Sequence, residues 1–164
     1  MKKIVFGLTA IAFAASVSAQ TKWDLPSGYG SNTFQTKNLE QFAADVKTAT
    51  GGKLEITVHP GGSLFKQPEI KRAIQTGLVP AGEFIISGLA NENPIFGADS
   101  IPFLATSYPE AKRLYEASKP VQAKVLSGQG VKMLFSVPWP GQSLYSVKPI
   151  TSADDFKGTK MRAY

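Results

Sequence analysis

Arg162 lies near the end of a stretch, TSADDFKGTKMRAY (151–164), whose residue types could bind an acid. A guanidinium is a planar fork of donors that meets a carboxylate with two parallel hydrogen bonds. Ser152 and Asp155 have the spacing of a capped helix start, with Asp154 and Asp155 both suited to a helix N-terminus. Gly158 stops that helix, and the pattern then predicts a strand with Lys160, Arg162 and Tyr164 on one face. Either Arg162 clamps a carboxylate, or it is an arginine on a solvated strand face. Glu83 is the second candidate. It interrupts an otherwise apolar run, 79–87, where an unpaired charge is costly. It needs a partner or a ligand, or else the run is an edge strand that points it outward. Trp139 is the third, held between Pro138 and Pro140 as a rigid aromatic wall or as a wedge in a packed corner.

The elements that must position these residues alternate between two periodicities. Residues 22–25 read as a short strand, followed by a glycine-rich turn, 26–31, with Gly28 and Gly30 on either side of Tyr29. Asn32 or Thr33 caps a helix whose Leu39, Phe42, Ala43 and Val46 fall at i, i+3, i+4 and i+7. Residues 53–59 form a strand with Leu54, Ile56 and Val58 on one face, broken by Pro60-Gly61-Gly62. A helix begins near Pro68 and turns Ile70, Ala73 and Ile74 inward, and Gly77 stops it. Residues 79–87 then read as a third strand. This strand–helix alternation predicts an α/β fold with parallel strands. Farther on, 91–106 combines turn chemistry with many apolar residues and packs as a loop. Ser107 and Glu110 predict a capping box, and Pro120 a restart or kink in the helix that follows. Residues 131–137 and 143–147 read as two more strands.

Several function classes lack their residues. The chain has 164 residues, one histidine and no cysteine. Disulfides and cysteine–metal sites are therefore excluded, and the carboxylates are not clustered for a metal. No cofactor is implied. A Ser-His-Asp arrangement would have to use His59, which ends a strand beside Pro60 and reads as a surface or turn residue. No G-x-S-x-G, phosphate loop or complete G-x-G-x-x-G occurs. The net charge of +6 suits an anionic small molecule. Because the basic residues are scattered in runs no longer than two, no nucleic-acid partner is expected. At the N-terminus, Lys2 and Lys3, a short apolar run and Val17-Ser18-Ala19 make the pattern of a cleavable secretory signal over 1–19, with periplasmic or secreted localisation.

Six stretches carry a family resemblance: ASVSA, GGKLEITVHPGGSLF, IKRAIQTGLVPAGEF, ANENPIFGADSIPFLATSYPEAKRLY, GVKMLFSVPWPGQSLYS and DFKGTKMRAY. Together they resemble the periplasmic solute receptors of tripartite ATP-independent (TRAP) transporters, over nearly the whole chain after the signal. The most specific motif is K-G-x-K-x-R, present from Lys157 to Arg162. The resemblance implies two α/β lobes joined by crossing strands, in chains about twice this length. It implies a first lobe over 20–138, with a hinge crossing and the start of a second lobe over 139–164, as if truncated. Arg162 then holds a substrate carboxylate from the second lobe. Gln142 matches a position that gives a second polar contact, and Tyr29, Asn32, Glu83 and Trp139 match or shape the cleft. The implied ligand is a small organic anion, and the implied partners are the membrane subunits of the transporter; no catalysis is implied. Two alternatives remain: a receptor of another importer class, and an exported α/β hydrolase.

Overall fold

The computed structural model describes residues 20–161. The signal segment 1–19, and Arg162, Ala163 and Tyr164, lie outside the described residues. Strand β1 (Thr21–Pro26) pairs in parallel with β2 (Leu54–His59), in register from Thr21 opposite Leu54 to Pro26 opposite His59. Helix α1 (Phe34–Ala49) makes the crossover that parallel strands require. Thr33 is its N-cap, with its side chain accepting from the Thr36 amide. Helix α2 (Gln67–Gln75) starts with Pro68 in its first turn, and the Glu69 carboxylate reaches back 2.9 Å to the Lys66 amide. Helix α3 runs Tyr108–Gly128.

The apolar periodicity explains the packing. Leu39 and Ala43 of α1 meet Leu25 and Ile56 in one buried cluster, with Phe42, Val46, Leu54 and Val58 around it. A second cluster joins Phe96, Leu126 and Val131. Residues 79–87 connect the two: Ala81 packs on the first and Phe84 and Ile86 on the second. Buried Lys71 of α2 is paired with Glu92, to which the Gln129 amide also donates at 3.1 Å.

Three predicted strands are corrected. Residues 79–87 make one isolated bridge, Glu83 to Ser27, and then turn into a 3-10 helix at Ile86–Leu89. Residues 131–137 are extended and do alternate: Val131 is buried, Met133 packs on the second cluster, and the Phe135 ring lies 5.2 Å from that of Phe42. The Val131 amide donates instead to the Leu126 carbonyl at the end of α3, at 2.9 Å, and no second strand pairs with these residues among the described ones, so no ladder forms. The same holds for 143–147, where Tyr145 and Val147 stand almost fully exposed. At the end of the chain the capped turn is present as a 3-10 helix, Ala153–Phe156, with the Asp155 carboxylate accepting from the Ser152 amide at 2.8 Å. Gly158 follows with φ 72°, but Lys160 and Met161 are not in a strand.

Two expectations on α3 need adjustment. Ser107 accepts from the Glu110 amide, while the Glu110 carboxylate reaches past Ser107 to the Thr106 amide and hydroxyl at 2.8 and 2.9 Å. Those bonds hold its carboxyl below the usual range, the Thr106 amide first among them. The helix passes through Pro120 without interruption, giving up one backbone hydrogen bond there.

Gly82 shows how closely α2 seats on this frame. A Cβ there would stand 2.6 Å from Ile70 Cγ2 and 3.4 Å from Pro26 Cγ, and Ile70 is fully buried. Gly82→Ala is therefore expected to cost about 1–3 kcal/mol by overpacking. A urea titration should read this as a lower midpoint with unchanged slope. Gly30→Ala, whose Cβ would meet nothing within 4 Å, should leave the midpoint where it is.

Candidate functional site

The parallel ladder ends at Pro26, and the next residues build the site. Ser27 is fully buried, and its polar groups are all engaged. Its amide donates to the His59 carbonyl at 2.9 Å and its carbonyl accepts from Gly62 at 2.9 Å. Its hydroxyl accepts from the Tyr29 amide at 3.2 Å and donates to Glu83 Oε2 at 2.5 Å. Gly61 donates to the Tyr29 carbonyl at 2.7 Å. Gly61 and Gly62 both have φ 67°, a conformation that glycine reaches without a Cβ penalty. The Pro60-Gly61-Gly62 break thus pins the turn that carries Tyr29. Buried Thr36 of α1 holds the same turn, donating to the Gly30 carbonyl at 3.0 Å.

Tyr29, Glu83 and Trp139, three of the candidates, come together here. The Tyr29 and Trp139 rings meet edge to face at 5.3 Å, and the Phe34 ring also meets Trp139 edge to face at 5.9 Å. This geometry suits the aromatic quadrupole. Gln67, at the start of α2, donates to the Tyr29 hydroxyl at 3.1 Å. Gly28 makes room for that contact: a Cβ there would stand 2.6 Å from the Gln67 Cβ. Glu83 is half-buried, and its amide donates 2.9 Å to the Pro26 carbonyl. Burial pushes its carboxyl above its ordinary 4.5, and the Ser27 hydrogen bond only partly offsets this. Burial likewise raises the Tyr29 phenol; the Gln67 hydrogen bond opposes this, and the nearby Glu83 charge adds to it.

The other candidates are placed differently. Asn32 is exposed in the turn before α1. Gln142 is exposed on the extended stretch, with its side-chain amide donating to the Pro140 carbonyl at 3.1 Å. Arg162 lies outside the described residues. Ser27 and Gln67 were not among the residues singled out from sequence, though both are central to the geometry. Their partners are 56 and 38 residues away, and no periodic signal marks them. His59 is paired with Asp24 at 2.7 Å, as a residue at a strand end can be.

Two outcomes are expected of the Ser27–Glu83 pair. Ser27→Ala leaves a half-buried carboxylate without its donor and should cost about 1–3 kcal/mol of stability in urea unfolding. The pH dependence follows from the raised Glu83 value. Between 4.5 and that value the folded chain binds more protons than the unfolded one, so stability falls as pH rises through this window. Glu83→Gln should remove this component. Wild-type stability measured relative to Glu83→Gln should therefore decline as pH rises from about 4 to 7.

The comparisons with known proteins fit this architecture. A pyroglutamate-specific TRAP solute-binding protein from an unidentified marine microbe is 48% identical, with TM-score 0.82; the match covers 85% of this chain and 46% of that one. A Bordetella pertussis extracytoplasmic solute receptor binding pyroglutamic acid is 43% identical, with TM-score 0.85, over 88% of this chain and 48% of that one. The C4-dicarboxylate-binding periplasmic protein of Rhodobacter capsulatus is 27% identical over 95% of this chain and 48% of its own length. The chain spans about half the length of the curated relatives it matches. Its α/β frame, a parallel pair with flanking helices, is that of one lobe of such receptors. The family model for the bacterial extracellular solute-binding proteins of family 7 matches residues 27–164, and the chain belongs to that family.

Proposed function

We propose that the protein is a periplasmic receptor that captures a small organic acid and delivers it to the membrane subunits of a TRAP transporter. The observation that carries this reading is the meeting of Tyr29, Trp139, Gln67 and Glu83 at the end of the parallel pair. It occurs in a chain 48% identical to a receptor specific for pyroglutamate. Aromatic walls with a few convergent polar groups are the usual make-up of a small-ligand site. The family is one of solute-binding receptors, which weighs against the hydrolase reading. The TRAP relatives weigh against a receptor of another importer class.

In this reading residues 20–138 form the first lobe, and 139–164 cross the hinge and begin the second. Arg162 neutralises the ligand carboxylate. Trp139 and Tyr29 flank the ligand, while Gln142 and Asn32 supply polar contacts as the lobes close over it by hinge motion. Residues 1–19 are removed after Ala19 on export. No helix of the described residues is long and apolar enough to cross a membrane.

The test is calorimetric titration of the receptor, expressed from its complete gene, with a panel of small organic acids. Wild type should bind at least one of them. Removing Arg162 leaves the bound carboxylate buried without a partner, so Arg162→Ala should cost about 2–5 kcal/mol. That is roughly thirtyfold to several-thousandfold in affinity. Arg162→Lys should recover part of the loss, as a point charge without the fork. Absence of binding across the panel would overturn the reading. Binding by Arg162→Ala within twofold of wild type would move the carboxylate contact elsewhere, with Gln142 next to be tested.

A further inference from the structure

Phe103 has φ 64° and is 93% exposed. Among the described residues every other position with positive φ is a glycine. The Leu104 amide donates to the Ile101 carbonyl at 3.2 Å, which closes a four-residue turn with Pro102 second and Phe103 third. Proline fixes a negative φ at the second position, so the positive φ at the third makes this a type II turn. Glycine is the usual residue at that third position, because a Cβ there is strained. A phenylalanine thus stands where the backbone disfavours it, with its ring almost wholly outside the described fold.

The whole tip of the turn is apolar. Ile101, Pro102, Leu104 and Tyr108 are exposed as well. No charged residue occurs between Asp99 and Glu110. Single exposed apolar side chains are ordinary, whereas a cluster of them marks a contact surface. The absence of charge decides the kind of contact. A surface that docks on anionic lipid carries lysines or arginines among its apolar residues. Permanent protein interfaces are the more hydrophobic ones and resemble a core cut in two. The matched relatives are about twice as long as this chain, so a receptor of the family has as much polypeptide again with which to cover the turn.

We propose that the 101–104 turn is an apolar latch that seats permanently in the second half of the receptor, with the Phe103 ring as the inserted side chain. This rests on the two-lobe receptor reading above. Burial of the ring offsets the strain of the turn, and the turn in turn holds the ring clear of the first lobe. The contact is therefore part of the receptor's own interior and not a surface for passing partners.

The experiment uses the receptor expressed from its complete gene. This chain has no cysteine, so Phe103→Cys places a new thiol at the turn, and Thr48→Cys places one on the exposed side of α1. A maleimide should modify Phe103→Cys about tenfold more slowly than Thr48→Cys, or slower still, at every protein concentration. Equal rates would overturn the proposal. Phe103→Gly relieves the turn and removes the ring. It should lower the melting temperature of the receptor by roughly 5–10 °C, yet leave the urea midpoint of the 164-residue chain unchanged or higher. A receptor whose melting temperature does not fall would overturn the proposal too. Hydrogen exchange on the unsubstituted proteins decides the matter even if a variant fails to fold. Peptides spanning 100–106 should exchange more slowly in the receptor than in the 164-residue chain, and equal exchange would count against the latch. Protection that disappears on dilution would give the turn to a second copy, and protection that needs lipid vesicles would give it to a membrane; either overturns the proposal. If the turn is protected but no organic acid binds, this inference stands and the transport reading falls. If an acid binds and the turn reacts freely, the reverse holds.

Discussion

Everything at the candidate site depends on one buried serine. Ser27 is the first residue past the parallel ladder, and its amide, carbonyl and hydroxyl each hold a different neighbour. A buried polar group that lost any of these partners would carry the desolvation cost alone. The position of the Tyr29 turn, of the glycine turn after β2 and of the Glu83 carboxylate are therefore three outcomes of one satisfaction problem. β1 could end in many ways; ending at Pro26, which has no amide hydrogen, hands the next pairing to Ser27.

Residues 79–87 answer a second requirement. They connect the two hydrophobic clusters and also carry Glu83. A carboxylate on a loosely packed loop would swing into water and keep its ordinary acidity. Here Ala81 on one side and Phe84 on the other hold the backbone, and Gly82 lets it lie against Ile70. The packing thus keeps the charge partly out of water, and the raised carboxyl is the electrostatic mark of that packing.

How far the sequence could be read differs by element. Helix α1, β2 and the start of α2 were legible because their signals are local: a 3.6-residue stripe, a two-residue alternation, a cap, a proline in the first turn. Residues 131–137 mark the limit. Their alternation correctly says which side chains face the molecule, since Val131 and Met133 turn inward, but facing is not pairing. A ladder needs a neighbouring backbone, and nothing in an alternating run says whether one is near. The same distinction applies at the site. Glu83, Trp139 and Tyr29 stood out as a charge in an apolar run, an aromatic between prolines and an aromatic between glycines. Ser27 and Gln67 look ordinary in the sequence, because their importance comes from residues brought near them by two turns and a crossover.

The environments of the two tryptophans have an optical consequence. Trp23 sits half-buried on β1 against the first cluster, whereas Trp139 is 44% exposed beside Tyr29. Their indoles therefore emit from unlike surroundings, the first from an apolar setting and the second from a more wetted one. Anything that displaces water from the face of Trp139 shifts the emission of that indole toward the blue and leaves the other as an internal standard. The chain thus carries its own unlabelled fluorophore beside Tyr29 in the candidate site, with a reference built into β1.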